Sequence, residues 1–422
     1  MNSLTDLIIF GTLTSIAFSA CTVPNDLPNG DTSGTDASPT DGTSGLGTTS
    51  GGPTYDCTLE LAENSQKICG IIAGETLCYL KSQPLRLEGV GGFAQIIDLN
   101  NDRLDDIIVQ ESTPEKIWIL SADPDCGSRG GFMASTIFTA SSITDILSLD
   151  ANEDIRVDIL MRNLEIGSDD QTFLFLGKNL FEFEHMLIPN ITTGTADSVG
   201  DINLDGHIDI LSRIDDDLHI YLGTGTGGFK PGPVFDIGAS HLTARTVDFN
   251  NDGYPDVVTS RDVMINDFES TSEIEIHFGD STQMFSLKST LASSDGNYRL
   301  ADLIIEDFNG DFYPDLAFYK TVLYGDGVGG VFSIENQPTL EGKISGVDLN
   351  GDERIDLVSS NDALINTGTS FIGGLSGLSF SSEVRPGHFN HDNRADLATV
   401  NFLTETPTTM SEVVIYTASA LR

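Results

Sequence analysis

Apolar residues in this chain come as short runs bounded on both sides by acids, Asn and Gly. Seven of these runs follow an aspartate: Ile107–Val109, Ile159–Met161, Ile210–Ser212, Val257–Thr259, Leu316–Phe318, Leu357–Ser359 and Leu397–Thr399. They are three residues long, rich in β-branched side chains, and no helical spacing flanks them. Such runs predict buried β-strands. Each is preceded by a polar stretch that must turn the chain, so strand, loop and strand follow one another along most of the sequence.

The polar stretches share one phrase: acid, x, Asn, x, Asp, three residues, Asp. It reads DLNNDRLDD from Asp98, DANEDIRVD from Asp150, DINLDGHID from Asp201, DFNNDGYPD from Asp248, DFNGDFYPD from Asp307, DLNGDERID from Asp348 and HFNHDNRAD from His388. Successive copies start 52, 51, 47, 59, 41 and 40 residues apart. A period of that size marks a repeat architecture with one supersecondary unit per copy.

The spacing also carries chemistry. Side chains at offsets 0, 2 and 4 of a tight loop converge on one point, and a carbonyl at offset 6 extends the set, as in the first half of an EF-hand loop. A final Asp at offset 8 closes the shell. The expected calcium ligands are Asp98, Asn100, Asp102 and Asp106; Asp150, Asn152, Asp154 and Asp158; Asp201, Asn203, Asp205 and Asp209; Asp248, Asn250, Asp252 and Asp256; Asp307, Asn309, Asp311 and Asp315; and Asp348, Asn350, Asp352 and Asp356. Gly206 and Gly253 supply at offset 5 the left-handed backbone that a sharp turn asks for, whereas Ile155 in the second copy resists it. His388 opens the last copy and is a poor ligand for an oxygen-selecting ion. Occupancy is therefore expected to be highest at the Asp201 and Asp248 loops and lowest at the His388 loop. The competing reading takes the acids as turn-capping Asx motifs without metal.

These loops resemble the FG-GAP and VCBS repeats of integrin-α-like propellers over roughly residues 80–420. A second feature of that family recurs as a strand ending in a Gly-rich turn and an aromatic residue: IYLGTGTGGF at 220–229, LYGDGVGGVF at 323–332 and, in weaker form, IHFGDSTQMF at 276–285 and FLFLGKNLFEF at 173–183. The resemblance implies an all-β, seven-bladed β-propeller over 57–422, with a cation between the first two strands of each blade. After Asp396 the chain has strand-like sequence only at 396–400 and 412–418, so part of 66–81 is expected to pair with 412–418 and close the ring.

Charge narrows the partners. The chain carries 64 acids against 21 Lys and Arg, a formal net charge of −43. Such a surface excludes a nucleic-acid binder, which needs Lys and Arg clusters to displace counterions, and does not adsorb to anionic headgroups. The N-terminal region differs from the rest. Leu7 to Ala20 is apolar but too short to span a bilayer and fits a signal peptide over 1–20. Phe18-Ser19-Ala20-Cys21 resembles a bacterial lipobox, which implies lipidation of Cys21. Residues 21–56, dominated by Thr, Ser, Gly, Asp and Pro, read as a disordered tether. Removing Cys21 leaves Cys57, Cys69, Cys78 and Cys126, an even number suited to disulfides in an oxidising compartment. An outer-membrane or cell-surface lipoprotein, or else a secreted protein, is expected, and it is expected to be monomeric.

Signals for catalysis are absent from the sequence pattern. The seven histidines show no metal-protease pairing, and the Gly-rich 223–228 segment leads to a strand rather than to the helix N-terminus of a phosphate site. The reading is a non-enzymatic module binding a protein or glycan, with a carbohydrate-active propeller (lectin or polysaccharide lyase) and a structural envelope component as alternatives. The carbohydrate reading requires exposed aromatic platforms, and Trp118, the single tryptophan, lies in an apolar KIWIL run suited to the core. The polar stretches 266–273 and 293–298, in the longest gap between copies, are expected to be recognition loops.

Overall fold

The computed structural model describes residues 67–420 apart from connecting segments, of which the longest are 123–131, 164–170, 296–302 and 374–382. The segments at 1–20 and 21–56, with Cys21, Cys57 and Cys126, lie outside the described residues. Three strands come first: β1 (Lys67–Ile72), β2 (Glu75–Lys81) and β3 (Leu85–Glu88). Six four-stranded antiparallel sheets follow in chain order. Blade 1 is β4 (Gly91–Ile97), β5 (Asp106–Ser112), β6 (Glu115–Ala122) and β7 (Phe132–Phe138), and blade 2 is β8 (Ile143–Leu149), β9 (Asp158–Asn163), β10 (Gln171–Gly177) and β11 (Phe183–Leu187). Blade 3 holds β12 (Thr195–Gly200), β13 (Asp209–Ile214), β14 (Asp217–Gly223) and β15 (Phe229–Asp236), and blade 4 holds β16 (His241–Val247), β17 (Asp256–Asn266), β18 (Glu269–Phe278) and β19 (Leu287–Asp295). Blade 5 comprises β20 (Ile304–Glu306), β21 (Asp315–Phe318), β22 (Thr321–Gly325) and β23 (Val331–Asn336), and blade 6 comprises β24 (Ile344–Val347), β25 (Asp356–Ser359), β26 (Ala363–Asn366) and β27 (Phe371–Gly373). Blade 7 is built on β28 (Val384–Gly387), β29 (Asp396–Glu405) and β30 (Thr408–Ala420). No helix occurs among the described residues.

The core shows how the sheets are arranged. Seven apolar clusters each join two successive blades. Ile108 and Ile119 meet Ile159 and Phe175 between blades 1 and 2, and Val258 and Ile276 meet Leu316 and Leu323 between blades 4 and 5. A further cluster joins Leu104, Ile107 and Val109 of blade 1 to Phe389, Ala398 and Ile415 of blade 7. First and last sheets are therefore neighbours, and the seven sheets form a closed ring. The strand following a closing Asp is buried on both faces over its first four residues, as in β13, β21 and β25, which is why its sequence is a continuous apolar run rather than an alternation. The first strands of adjacent blades touch one another and line the centre. Outer strands such as β11 are mostly exposed.

Ring closure uses the N-terminal strands as expected. β2 pairs antiparallel with β30, setting Tyr79 opposite Ala418, Leu80 opposite Thr417 and Lys81 opposite Tyr416. β3 pairs with the same strand further along, from Leu85 opposite Val413 to Glu88 opposite Met410. Tyr79 is fully buried in the cluster between blades 6 and 7 and donates a 3.3 Å hydrogen bond to the Ala395 carbonyl. β1 pairs with β2, bringing Cys69 directly opposite Cys78. Trp118 is half-buried and packs on the cluster between blades 7 and 1.

One expectation is corrected. Residues 269–273 belong to β18 and 293–295 to β19, paired from Thr271 opposite Asp295 to Glu273 opposite Ser293. The described part of the insertion is thus a lengthening of three strands of blade 4 rather than a pair of loops, and 267–268 and 296–298 lie outside the described residues.

Candidate functional site

All seven copies of the phrase lie between the first and second strands of a blade, so the loops ring one end of the propeller. In the first six the geometry repeats. The offset-0 Asp accepts the N–H groups of offsets 4 and 5, as in Asp201 with Asp205 (3.0 Å) and Gly206 (2.9 Å). The Asn accepts the offset-4 N–H through Oδ1 and donates from Nδ2 to the offset-4 carboxylate, as in Asn203 with Asp205 at 2.8 and 3.0 Å. The offset-4 Asp accepts the offset-6 N–H, from His207 at 3.0 Å. The loop backbone is thereby curled around its own acids.

The curl needs two left-handed residues per loop, at offsets 3 and 5. They are Asn101 and Arg103, Glu153 and Ile155, Leu204 and Gly206, Asn251 and Gly253, Gly310 and Phe312, and Gly351 and Glu353, with φ between 57° and 91°. This explains why glycine stands at offset 5 in two copies and at offset 3 in two others. Sequence reasoning required only offset 5 to be left-handed and expected Ile155 to resist it; Ile155 adopts φ 69° nevertheless. Its side chain and that of Phe312 are each 85 % exposed.

The closing Asp behaves differently. Asp106, Asp158, Asp209, Asp256, Asp315, Asp356 and Asp396 are all fully buried, and each is the first residue of its blade's second strand. Burial raises the carboxyl pKa of Asp106 to about 8, of Asp256, Asp315 and Asp356 to about 7, and of Asp158 and Asp209 to about 6, partly offset by backbone N–H donors.

Calcium is the ion this donor set implies. In the first six loops the Asn amide donates to the offset-4 carboxylate, and the offset-0 carboxylate accepts the offset-4 backbone N–H, so the three side chains border one curl of backbone. A carboxylate oxygen accepting one N–H keeps further acceptor capacity, so this part of the set fits a hard cation. Oδ1 of Asp307 and of Asp348 also takes the N–H of Gly310 and Gly351 at 2.7 Å, which leaves those two loops with less to offer. Among the described residues no three His, Cys, Asp or Glu side chains come together as a metal-holding group.

Contacts run from loop to loop. Asn101 Nδ2 donates to the Ile155 carbonyl (3.3 Å), Glu153 is paired with His207 Nδ1, and Gly227 N–H donates to the Ala151 carbonyl (2.9 Å). At the closure, Asp105 N–H donates to the His388 carbonyl (2.8 Å) and His388 N–H donates to Asp105 Oδ2 (2.7 Å). Asp105 stands where other copies have Val157, Ile208, Pro255, Pro314, Ile355 or Ala395. The two departures from the repeat, an acid at offset 7 of the first copy and a histidine at offset 0 of the last, meet at the seam.

The loops of blades 3, 4 and 5 frame a cleft of about 430 Å³ with the ends of their first strands. Leu204, Pro255, Phe312, Tyr313, Thr246 and Glu306 line it, so its walls are chiefly apolar with acids at the rim. Sequence reasoning missed this cleft. Its one sequence signal was Phe312, the single aromatic at an offset that other copies fill with Gly, Arg, Glu, Ile or Asn.

Such a ring of four-stranded sheets defines a class, the seven-bladed β-propeller. The FG-GAP-like repeat family model matches residues 201–259, the span from the third loop into the second strand of blade 4. No curated protein matches the chain significantly. Among solved structures, one described as the basis of specific recognition of non-reducing terminal N-acetylglucosamine by an Agrocybe aegerita lectin is similar at 14 % identity and a TM-score of 0.47, covering 75 % of this chain and 91 % of that one.

Proposed function

We propose that this propeller is a calcium-stabilised binding module, exported and held at the outer membrane or cell surface through Cys21, and that it binds a glycan in the cleft framed by the loops of blades 3, 4 and 5. The observation that carries the binding reading is Phe312. Its ring is 85 % exposed, which costs hydration, and it stands on the wall of a cleft rather than on open surface. With Tyr313 beside it, the cleft supplies the aromatic platform that a sugar face needs, while Thr246 and Glu306 supply polar groups nearby. The non-enzymatic reading is supported by the loop acids, whose oxygens are engaged with backbone N–H groups rather than paired with a nucleophile. Calcium is supported by the donor chemistry at offsets 0, 2 and 4, and the anchor by the Phe18–Cys21 sequence ahead of a solvated tether. Cys69 and Cys78, opposite each other in β1 and β2, are proposed to form a disulfide: directly opposed residues of an antiparallel pair have Cα atoms about 4.5–5.5 Å apart, inside the range a disulfide spans.

The test is a glycan array with the mature protein in calcium, repeated with Phe312→Ala. Binding to a defined glycan set, lost in the variant while its melting temperature holds, supports the reading. Binding unaffected by the variant moves the site elsewhere, and turnover of a polysaccharide by the purified protein overturns the non-enzymatic part. A second reading, a protein partner on the lengthened strands of blade 4, is favoured by their extension beyond Arg261, where β17 has no β16 partner.

A further inference from the structure

We infer that the seven closing aspartates are blade clamps whose action is independent of any bound cation, and that the geometry separates them from the cation-facing part of their own loops. In every blade Oδ2 accepts the N–H of the residue after offset 0: from Leu99, Ala151, Ile202, Phe249, Phe308, Leu349 and Phe389, at 2.9–3.1 Å. In every blade Oδ1 accepts an N–H at the far end of the third strand: from Ala122, Gly177, Gly223, Gly279, Gly325, Asn366 and Ala418, at 2.7–3.0 Å. One carboxylate at the start of strand two thus ties down the end of strand one and the end of strand three.

The physical need is plain. Where the chain leaves strand one to enter the loop, its next N–H has no partner in the sheet. In blades 1 to 6 the same holds for the N–H at the end of strand three, where the chain turns toward strand four. Both lie in the buried interior, where a bare donor is penalised. A carboxyl group is the short side chain whose two oxygens can accept from both at once. In blades 2 to 5 the third strand approaches so closely that a Cβ on Gly177, Gly223, Gly279 or Gly325 would come within 2.5 Å of the carbonyl oxygen at offset 7. The first glycine of the Gly-rich turn is therefore part of the same clamp.

Blade 7 separates the clamp from the ion. Its loop opens with His388 instead of Asp, and His388 is turned to the seam with Asp105. Asp396 nevertheless makes both clamp bonds, 3.1 Å from Phe389 and 2.7 Å from Ala418, and takes a further one from Asn390 Nδ2 at 2.9 Å. The closing acid persists in form where the cation set is broken.

The test compares Asp209→Asn, Asp396→Asn and Asp205→Asn in the full chain, by melting in a calcium chelator and by calorimetric calcium stoichiometry. Asparagine keeps the shape but sets an NH₂ against a backbone N–H. Both closing-position variants should melt several degrees lower in chelator, and Asp209→Asn should bind as many calcium ions as the parent, whereas Asp205→Asn should lose one. Loss of one ion in Asp209→Asn with an unchanged melting point in chelator would make that residue a ligand and overturn the inference. If the parent binds no calcium, lowered melting of both closing variants still supports the clamp, and only the calcium part of the proposed function fails. Should a variant not fold, hydrogen exchange on the parent in chelator decides. Protection of the Ile202 and Gly223 amides equal to that of β13 supports the clamp, and exchange at loop rates rules it out.

Discussion

An isoleucine at φ 69° with 85 % of its side chain in water gains nothing from burial and loses to steric conflict between Cβ and its own carbonyl. Ile155 has no cleft beside it that its exposure serves, whereas Phe312 lines one. Replacing either by glycine should relieve the left-handed strain of roughly 1–3 kcal/mol, less the roughly 0.5–1 kcal/mol by which glycine loosens the unfolded chain. Ile155→Gly and Phe312→Gly are thus expected to stabilise the protein by about 1 kcal/mol in chemical denaturation, and only Phe312→Gly should also abolish ligand binding. A loss of stability in both would show that the loop backbone is not held as described. The closing acids set a second expectation at this scale. Their folded pKa values lie above the unfolded value near 4, so the folded state binds more protons in between, and their contribution is fully present below about pH 4 and lost as pH rises through about 6–8. Metal-free protein should therefore lose stability between pH 4.5 and 8. General repulsion among the surface acids acts in the same direction, but salt screens it, so the trend should persist at high ionic strength. A flat profile there would contradict the burial of these carboxyls. None of this was legible in the sequence, because an Asp at offset 8 reads the same whether it faces an ion or two backbone N–H groups.

At the scale of the element, the strands were legible because burial on both faces leaves an unbroken apolar run behind each closing Asp, and the loops were legible because their acids recur at one spacing. What hid was the direction of each carboxylate, which depends on where the third strand ends, more than ten residues away in every blade but the fifth and sixth, where it is ten. The lengthened strands of blade 4 were hidden for another reason. The extensions, Asp262-Val-Met-Ile-Asn266 in β17 and Glu269-Ser-Thr-Ser-Glu273 in β18, lack the strict alternation that marks a half-buried strand, and pairing along β17 and β18 supplies what the pattern does not. The β1–β2 hairpin gives the prediction proper to this scale. A disulfide between Cys69 and Cys78 closes a ten-residue loop, which in the chain-entropy account stabilises by about 2–3 kcal/mol. Mild reduction, or Cys69→Ser, should lower the melting temperature and speed amide exchange in β2 while leaving blades 3 and 4 unchanged. Recovery of two free thiols at these positions from unreduced, unfolded protein would remove the disulfide.

For the whole molecule, seven inter-blade clusters make a ring in which every blade depends on two neighbours, and the seam is where that dependence is bridged by chain ends rather than by a loop between successive copies. β2 and β3 cover the outer edge of β30, Tyr79 enters the cluster between blades 6 and 7, and Asp105 joins His388 across blades 7 and 1. Closure removes a free strand edge that would otherwise template association with other chains. The sequence pointed to the pairing of 66–81 with the C-terminal strand because the last copy lacked an outermost strand of its own, but the Asp105–His388 contact was invisible, since the two lie 283 residues apart. The proposed calcium would act on the ring through the same loops. An ion that binds the folded loops and not the unfolded chain stabilises by mass action, and chelation should lower the melting temperature, with calcium restoring it better than magnesium, whose strict six-ligand shell retains water. Asp205→Ala or Asp252→Ala should weaken that response more than Asp154→Ala, whose loop also holds Asp154 to Arg156 at 2.8 Å. The seam answers to a different perturbation. Asp105→Ala removes the acceptor for the His388 N–H but no offset-0, -2 or -4 donor, so it should lower the melting point equally with and without calcium. Deleting 67–81 should go further, leaving part of the β30 edge bare and turning a monomer into concentration-dependent oligomers in sedimentation. A truncated chain that stays monomeric and melts like the parent would mean that the ring closes without its N-terminal strands.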